Sequence, residues 1–218
     1  MIYDISRPVS ADMAVYKNRD SKRIKHTWVA RMPEQNINES DLASNLHTGT
    51  HMDAPLHMVD GGASVDQIDP DLYWGPCRVF DLSKLDRPVE ADDLKPYKIQ
   101  SGERILLKTR NSFEEHFNPE FIYIEVSAAK LLVDIGVKMI GIDAMSVERG
   151  KADHPTHSIL LEAGLGVLED IRLAEVPEGS YELTAVPLRL VGLEASPVRA
   201  LLKKRDANKK TDPWINLP

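Results

Sequence analysis

Residues 127–143 read Ser127-Ala128-Ala129-Lys130-Leu131-Leu132-Val133-Asp134-Ile135-Gly136-Val137-Lys138-Met139-Ile140-Gly141-Ile142-Asp143. Ser127 is typical of the residue that caps the start of a helix, and Gly136 is typical of the residue that follows its last turn. The stretch therefore predicts a helix over 127–135 and, directly after it, a strand over 138–143. A helix that returns at once to a strand is typical of helices that pack on a sheet, so these residues indicate an α/β fold.

Short strands are predicted elsewhere by runs rich in β-branched and aromatic residues. Those runs cover residues 1–6, 27–31, 77–82, 104–109 and 181–191. A second short helix is predicted from about Thr156 to Ala163, ending at Gly164. We therefore expect a β-rich mixed α/β fold in a single domain over residues 1–218, since no repeat or flexible linker divides the chain. A polar C-terminal extension is predicted from about residue 203.

The composition limits the partners that this chain can bind. Its 27 Lys and Arg residues against 34 Asp and Glu residues give a net charge of −7, which opposes binding to nucleic acid or to an anionic membrane. No apolar run approaches the ~20 residues that cross a bilayer. Cys77 is the only cysteine, so neither a disulfide scaffold nor a cysteine-based zinc site can form within the chain. We expect a cytoplasmic protein that acts on a small molecule.

Three of the seven histidines lie within His47-Thr48-Gly49-Thr50-His51-Met52-Asp53-Ala54-Pro55-Leu56-His57. Imidazole and carboxylate groups are common ligands of zinc, manganese and iron. Gly49 and Pro55 oppose a helix here, whereas an extended chain places alternate side chains on the same side. The stretch therefore predicts a divalent-metal site. The titratable residues that would share one side are His47, His51, Asp53 and His57.

This histidine-rich stretch cannot be a straight strand. At ~3.3 Å per residue its two ends would stand ~33 Å apart, which is too far for one site. Gly49 tolerates the dihedral angles of a sharp bend, and Pro55 cannot continue a ladder of hydrogen bonds. We therefore predict a strand that enters from Leu42, a kink near Gly49, and a loop over 53–57 that returns to the metal.

A second group of candidate ligands follows later in the chain. His157 lies in Asp153-His154-Pro155-Thr156-His157, at the start of the second predicted helix. Glu169 lies in the apolar run Val167-Leu168-Glu169-Asp170-Ile171, where a carboxylate is costly to bury without a cation or hydrogen bonds. His157 and Glu169 are therefore the candidates to complete the site.

The pattern His47-x-Gly49-Thr50-His51-x-Asp53-x-Pro55-x-His57 resembles the signature of the cyclase family of metal-dependent hydrolases, which includes bacterial kynurenine formamidase and isatin hydrolase. Tyr3-Asp4-Ile5-Ser6 is similar to the opening of that family, and Gly141-Ile142-Asp143 to a later strand. His157, followed twelve residues on by Glu169, resembles its second ligand group. The resemblance covers most of the chain.

The resemblance implies a metal centre of one or two divalent ions, with zinc as the first expectation and manganese as the alternative. Asp53 would serve both ions, with His47 and His51 on the first and the later ligands on the second. His57 would be the catalytic acid and base. The family also implies a swivelling β/β/α fold and a homo-oligomer, a dimer or a tetramer, whose neighbouring subunits help to close the active site. The implied metal ligands are His47, His51, Asp53, His157 and Glu169.

The implied reaction is hydrolysis of an amide C–N bond by metal-activated water. His57 would take a proton from that water and pass it to the departing nitrogen. An aryl formamide such as N-formylkynurenine is the first expected substrate, and a cyclic amide such as isatin is the alternative. Tyr16 is the candidate substrate-binding residue, because it can stack on an aromatic ring. It lies in Val15-Tyr16-Lys17-Asn18-Arg19-Asp20, where kynurenine formamidases tend to carry tryptophan followed by proline and glycine.

Two other functional classes use part of the same pattern. His51 and Asp53, with the distant His157, match the facial triad of non-haem iron oxygenases. A metal-bearing interaction module without turnover would also need these ligands. His47 and His57 favour the hydrolase over the oxygenase, because a facial triad needs neither and the hydrolytic interpretation uses both. In a binding module, His57→Ala would leave every activity unchanged while His51→Ala abolished metal binding.

Overall fold

The computed structural model describes residues 1–205, and a nine-stranded sheet forms its body. The helices are α1 (Ala91–Leu94), α2 (Val126–Ile135) and α3 (Pro155–Glu162), and short 3-10 turns connect many of the elements. The strands are β1 (Ile2–Asp4), β2 (Lys25–Ala30), β3 (Glu39–Ala43), β4 (His51–Asp53), β5 (Trp74–Asp81), β6 (Arg104–Lys108), β7 (Met139–Ile142), β8 (Gly166–Glu169), β9 (Gly179–Thr184), β10 (Ala195–Pro197) and β11 (Leu201–Lys204).

The main sheet is mixed and runs in the order β1-β11-β9-β5-β6-β7-β8-β4-β10. The central strands β5, β6, β7 and β8 are parallel neighbours. The pairings on either side of them are antiparallel. Strands β2 and β3 form a separate antiparallel hairpin. The β-rich mixed α/β fold expected from the sequence is confirmed.

Helix α2 makes the return to the sheet that the sequence predicts, with one difference at its start. Its N-cap is Glu125, whose carboxylate accepts the first helical N–H at 2.6 Å, so the cap predicted at Ser127 is wrong. The hydroxyl of Ser127 instead accepts the N–H of Ala91 and ties α2 to α1. Gly136 has φ +79° and ends the helix as predicted, and β7 follows. Within residues 1–205, no helix is long and apolar enough to cross a membrane.

Strand β6 is buried on both faces, as is typical of a parallel strand in a layered fold. Ile105 and Leu107 belong to one apolar cluster together with Leu132 of α2 and Leu160 of α3. Leu106, between them, belongs to a second cluster, on the other face of the sheet. Because both faces of the central strands are packed, the sheet holds β8 and the adjacent strand β4 in a fixed position.

Several strands differ from the prediction in their bounds or were not predicted at all. Strand β9 ends at Thr184 rather than at residue 191, and Pro187, which has no N–H to donate, follows shortly after. The sequence does not predict β8, β10 or β11. Lys203 and Lys204 were assigned to a polar extension, but they belong to β11, which pairs with β1 and β9. Residues 206–218 of that predicted extension lie outside the described part of the chain.

The β2–β3 hairpin lies apart from the main sheet and exposes both of its faces. Trp28 is 46 % exposed and Leu42 is 66 % exposed. The register places His26 opposite Leu42 and Trp28 opposite Ser40, so these four side chains share one face. The ring of His26 packs edge-on against Trp28 at a centroid distance of 5.0 Å. A lone two-stranded hairpin is marginally stable in water, so this arm would gain from further contacts.

Candidate metal centre

Strand β4 presents two of the predicted ligands on one side of the sheet. His51 and Asp53 face that side, whereas Met52, between them, joins the apolar cluster on the other. In the neighbouring strand β8, Glu169 stands directly opposite His51. The sequence analysis placed Asp53 in a return loop, and this is wrong: Asp53 pairs with Ala195 of β10, so hydrogen bonding on both edges keeps it in the sheet.

The chain before β4 bends where the sequence predicts. Gly49 has φ +74°, a left-handed conformation that favours glycine. The strand predicted to enter from Leu42 stops at Ala43, so His47 lies in the connecting turn. The N–H of His47 donates to Oδ1 of Asn45 at 3.1 Å, which holds that turn in place.

The structure brings the five proposed ligands into one cluster, in which two carboxylates link three imidazoles. Oδ1 of Asp53 lies 3.0 Å from Nδ1 of His47 and 3.5 Å from Nε2 of His51. Oε2 of Glu169 lies 3.3 Å from Nε2 of His51, and its Oε1 lies 3.2 Å from Nε2 of His157. Oδ2 of Asp53 lies 3.9 Å from Nε2 of His157. Residues far apart in sequence therefore share one small volume.

His57 reaches the edge of this cluster from the 3-10 turn Pro55–His57 that follows β4. Its ring centroid lies 4.1 Å from that of His47 and 5.7 Å from that of His157. Three possible ligand atoms lie within 4.8 Å of one another here, one each from His47, Asp53 and His57. The chain therefore turns back towards the cluster after β4, as predicted. The residue that this turn brings to the cluster is His57, whereas Asp53 lies in the strand itself.

The donor atoms of the cluster fit a divalent cation. Nε2 of His51 and both carboxylate oxygens of Asp53 are buried and have no hydrogen-bond partner among the described residues. A buried carboxylate without hydrogen bonds is costly even beside the imidazole of His47, so a cation among these atoms would stabilise the cluster. Imidazole and carboxylate donors together suit zinc or manganese. One donor atom each of His51, Asp53 and Glu169 lie within 4.8 Å of one another, as a shared ion requires.

Burial and neighbouring charge shift the pKa values in opposite directions. Burial lowers the pKa of His51 and His157, but the neighbouring carboxylates outweigh it and raise these pKa values to about 9 and about 10. Burial raises the pKa of Asp53 and Glu169, but the facing imidazoles outweigh it and hold both below their ordinary range. At His57 burial prevails and lowers the pKa to about 4, so this imidazole is neutral at pH 7.

Glu148 contacts the proposed ligand His157, and no sequence pattern predicts it. Its Oε2 lies 3.2 Å from Nδ1 of His157 and also accepts the N–H of His157 at 3.4 Å. These contacts turn Nε2 of His157 towards Glu169. On the other side of the cluster, the carbonyl of Gly49 lies 2.8 Å from Nδ1 of His51 and orients that ring in the same way. Glu148 follows β7 in a loop and belongs to no motif, so only the fold reveals it.

A cavity of about 230 Å³ opens beside the cluster. His57, His157 and Glu169 line its inner end. Tyr16, the predicted substrate contact, lines the cavity and packs edge-on against Phe117 at 5.5 Å. Further lining residues, which no sequence pattern predicts, include Arg19, Lys22, Met58 and Met145.

Residues 3–149 match the family model described as "Putative cyclase". The chain belongs to the cyclase family. A kynurenine formamidase from Salinibacter ruber is 37% identical over 207 residues, covering 93% of this chain and 97% of that protein. A solved structure described as a potential metal-dependent hydrolase with cyclase activity has 43% sequence identity and a TM-score of 0.87, covering 94% of this chain and 98% of that chain.

Isatin hydrolase A from Labrenzia aggregata has the same fold, with a TM-score of 0.79 over 93% of each chain at 22% identity. Together with the closer relatives, the geometry shows that this cyclase-family protein is an enzyme, a metal-dependent hydrolase of a small molecule that uses a divalent metal. The resemblance and the enzyme class expected from the sequence are confirmed. The oxygenase interpretation is set aside, because the kynurenine formamidase and the metal-dependent hydrolase that resemble this chain over most of its length are hydrolases.

Proposed function

We propose that this enzyme hydrolyses the C–N bond of an aryl formamide, with N-formylkynurenine as the leading substrate. The observation that carries the proposal is the buried carboxylate of Asp53, which makes no hydrogen bond within the described residues and lies in a cluster that adjoins a cavity large enough for an aromatic substrate. The kynurenine formamidase from Salinibacter ruber, similar over nearly the whole of both chains, supports the choice of substrate. The reaction breaks the bond between the formyl carbon and nitrogen and releases formate and an aryl amine.

We adopt the ligand sets that the family resemblance implies. His47, His51 and Asp53 would hold one cation, while Asp53, His157 and Glu169 would hold a second, with zinc as the first candidate and manganese as the alternative. When bound, such a cation lowers the pKa of water and stabilises the negative charge that develops on a carbonyl oxygen. Glu148 keeps His157 oriented for this task through the contact at its Nδ1.

His57 is suited to move a proton between water and the departing nitrogen. Its low pKa keeps the imidazole neutral at pH 7, so a ring nitrogen has a lone pair with which to accept the proton. The protonated ring is then a strong acid, since burial disfavours its charge, and it readily gives the proton to the amine nitrogen. Protonation matters because an unprotonated amide nitrogen is a poor leaving group.

The apolar wall of the cavity is suited to the aryl group. Tyr16 offers a ring held by its edge-on contacts with Phe117 and Phe121, at 5.5 Å and 6.3 Å. Met58 and Met145 add flexible apolar surface that adapts to a flat substrate. These side chains would hold the ring while the formyl group lies near His57.

A two-substrate assay tests this proposal. Purified protein loaded with zinc or manganese is incubated separately with N-formylkynurenine and with isatin. We expect formate release from N-formylkynurenine and little ring opening of isatin. Ring opening of isatin without any release of formate would overturn the proposal in favour of cyclic-amide hydrolysis.

We also propose that the enzyme is a homo-oligomer, a dimer or a tetramer, in which neighbouring subunits help to close the active site. The exposed apolar face of the β2–β3 hairpin supports this proposal, since Trp28 and Leu42 together make a surface that a second copy can cover. The cytoplasmic location expected from the sequence stays a prediction.

A further inference from the structure

Two cationic side chains line the active-site cavity without serving the metal cluster. Arg19 and Lys22 line the cavity, whereas the one carboxylate that lines it, Glu169, belongs to the proposed metal ligands. The described part of the cavity lining therefore carries two positive charges that the proposed reaction at the formyl group does not use.

The backbone fixes these two residues on successive 3-10 turns, Tyr16–Asn18 and Asp20–Lys22. The N–H of Arg19 donates to the carbonyl of Tyr16 at 3.3 Å, and the N–H of Lys22 donates to the carbonyl of Arg19 at 3.0 Å. Lys17 and Asn18 have φ values of +54° and +51°, in a region that side chains rarely adopt, and such strain is found most often at functional sites. The segment is thus a specific turn rather than a loose loop.

Lys22 is also tied to the segment that carries the proposed ligand His47. Its ammonium donates to Oδ1 of Asn45 at 2.8 Å, and its carbonyl accepts the hydroxyl of Thr48 at 2.7 Å. An ammonium group has three donors, so two are left for a ligand in the cavity. The half-buried position of Lys22 limits competition from water for those donors.

Arg19 has no competing carboxylate partner among residues 1–205. The adjacent carboxylate of Asp20 pairs instead with Arg23, with Nε 3.2 Å from Oδ1. A guanidinium presents several donors in a fixed planar fork, which matches the two oxygens of a carboxylate. Arg19 and Lys22 together therefore offer both the charge and the donors that bind a carboxylate.

We propose that Arg19 and Lys22 form a carboxylate subsite and thereby select aryl formamides that carry a carboxylate on their side chain. This inference rests on the proposed function. The α-carboxylate on the side chain of N-formylkynurenine is such a group, whereas isatin and simple formanilides have none. The subsite holds the amine half of the substrate and leaves the chemistry to the metal cluster and His57.

The test compares two substrates, of which only one has a side chain with an α-carboxylate. N-formylkynurenine is one, and 2-formamidoacetophenone, which has the same aryl formamide but no amino acid, is the other. We expect Arg19→Gln and Lys22→Gln each to raise KM for N-formylkynurenine about 10- to 100-fold with little change in kcat, because a charge-assisted contact to the bound substrate is lost. Arg19→Gln should leave kcat/KM for the neutral substrate unchanged. Lys22→Gln also loses the contact with Asn45 in the turn that carries His47, so we expect it to lower kcat/KM far more for N-formylkynurenine than for the neutral substrate.

Arg23→Gln is the matched control, since Arg23 lies in the same segment and pairs with Asp20 rather than lining the cavity. It should leave both substrates unaffected. Equal losses on both substrates in Arg19→Gln and Lys22→Gln would overturn the carboxylate subsite, because a change in cavity shape alone has that effect. Unchanged kinetics in both variants would overturn it as well.

A binding measurement separates this inference from the proposed function. Calorimetric titration of the metal-loaded protein with kynurenine and with 2-aminoacetophenone reports the subsite without turnover. We expect the wild type to bind kynurenine at least 10-fold more tightly and the Arg19→Gln protein to lose most of that preference. Equal affinities in the wild type would overturn the subsite even if formamides are hydrolysed. Failure of the wild type to hydrolyse either formamide would overturn the proposed function alone.

Discussion

At the scale of single residues, Asp53 and Glu148 mark what a sequence can and cannot reveal about this centre. Asp53 lies in a run of histidines at alternating positions, and that alternation predicts that His51 and Asp53 share a side. Glu148 supports His157 from a loop nine residues earlier, and a single acidic residue in a loop carries no pattern. The periodicity of a sequence does not predict contacts that depend on how a loop folds back.

Replacing His57 tests its role in proton transfer. We expect His57→Ala to keep its bound metal, because the proposed ligand set does not include His57. The value of kcat/KM should fall about 10²- to 10⁴-fold, the usual contribution of a general acid and base. Elemental analysis and formamide hydrolysis measure the two properties on the same sample.

His116→Ala is the control for this substitution, since His116 is exposed and lies outside the cavity that adjoins the cluster. Loss of metal from the His57→Ala protein would show that His57 is a ligand. The assignment of His57 to proton transfer would then be wrong.

Replacing Glu148 tests whether the contact behind His157 matters for the metal. Glu148→Gln keeps the size of the side chain but removes the charge that holds Nδ1 of His157. We expect metal affinity to fall about 10- to 100-fold, as is usual when a partner of a ligand is lost. Competition with a chromogenic chelator measures this affinity.

Glu162→Gln serves as the comparison, because Glu162 is exposed at the end of α3. Its metal affinity should equal that of the wild type. An unchanged affinity in the Glu148→Gln protein would mean that packing alone orients His157.

At the scale of elements, the long helix was predictable and the short strands of the metal centre were not. Helix α2 has a glycine stop and ten residues of suitable sequence, so its existence and its end follow from local rules. Strands β4 and β8 have only three and four residues, and each includes charged or titratable side chains that are buried. Hydrophobic patterns treat such residues as exposed, whereas here the proposed cation and the neighbouring strands account for their burial.

The end of α2 offers a test of the local rules. Gly136 has φ +79°, and a Cβ added there would lie 2.9 Å from Oγ of Ser101. We expect Gly136→Ala to lower the free energy of unfolding by about 1–2 kcal/mol, because left-handed backbone is costly for any residue with a side chain. Urea titration followed by circular dichroism measures the change.

Gly102→Ala is the matched comparison, since Gly102 has the same φ of +79° with no atom within 4 Å of an added Cβ. Gly102→Ala should lower the free energy of unfolding less than Gly136→Ala does, because its new methyl group meets no neighbour such as Ser101. An equal stability of the wild type and Gly136→Ala proteins would contradict the assignment of Gly136 as a conformational stop.

At the scale of the whole molecule, the sequence supported a strand-rich mixed fold but not the arrangement of the sheet. The order of the nine strands brings β4, from the first quarter of the chain, beside β8, from the last third. Local residue patterns do not specify which distant strands become neighbours. The exposure of the β2–β3 hairpin also depends on the whole molecule, because no other element of the described chain covers Trp28 and Leu42.

The hairpin carries the prediction about assembly. We expect the wild type to sediment as a dimer or tetramer and the double variant Trp28→Asp with Leu42→Asp to shift towards the monomer, since charges on the apolar face oppose its burial. Analytical ultracentrifugation over a range of concentrations measures the mass.

Lys25→Gln is the control on the opposite face of the same hairpin, because Lys25 pairs with Ala43 and alternates with His26. It should leave the mass unchanged. A wild type that stays monomeric at every concentration would refute the assembly.

The pairing of His51 with Glu169 sets the order of events during synthesis of the protein. A nascent chain on the ribosome carries the first histidines long before it carries the carboxylate that faces them. The complete set of donors therefore exists only once translation has passed residue 169. Binding of a cation by all five proposed ligands would therefore be a late step in maturation, and a chain that stops at residue 149, where the family match ends, would lack His157 and Glu169.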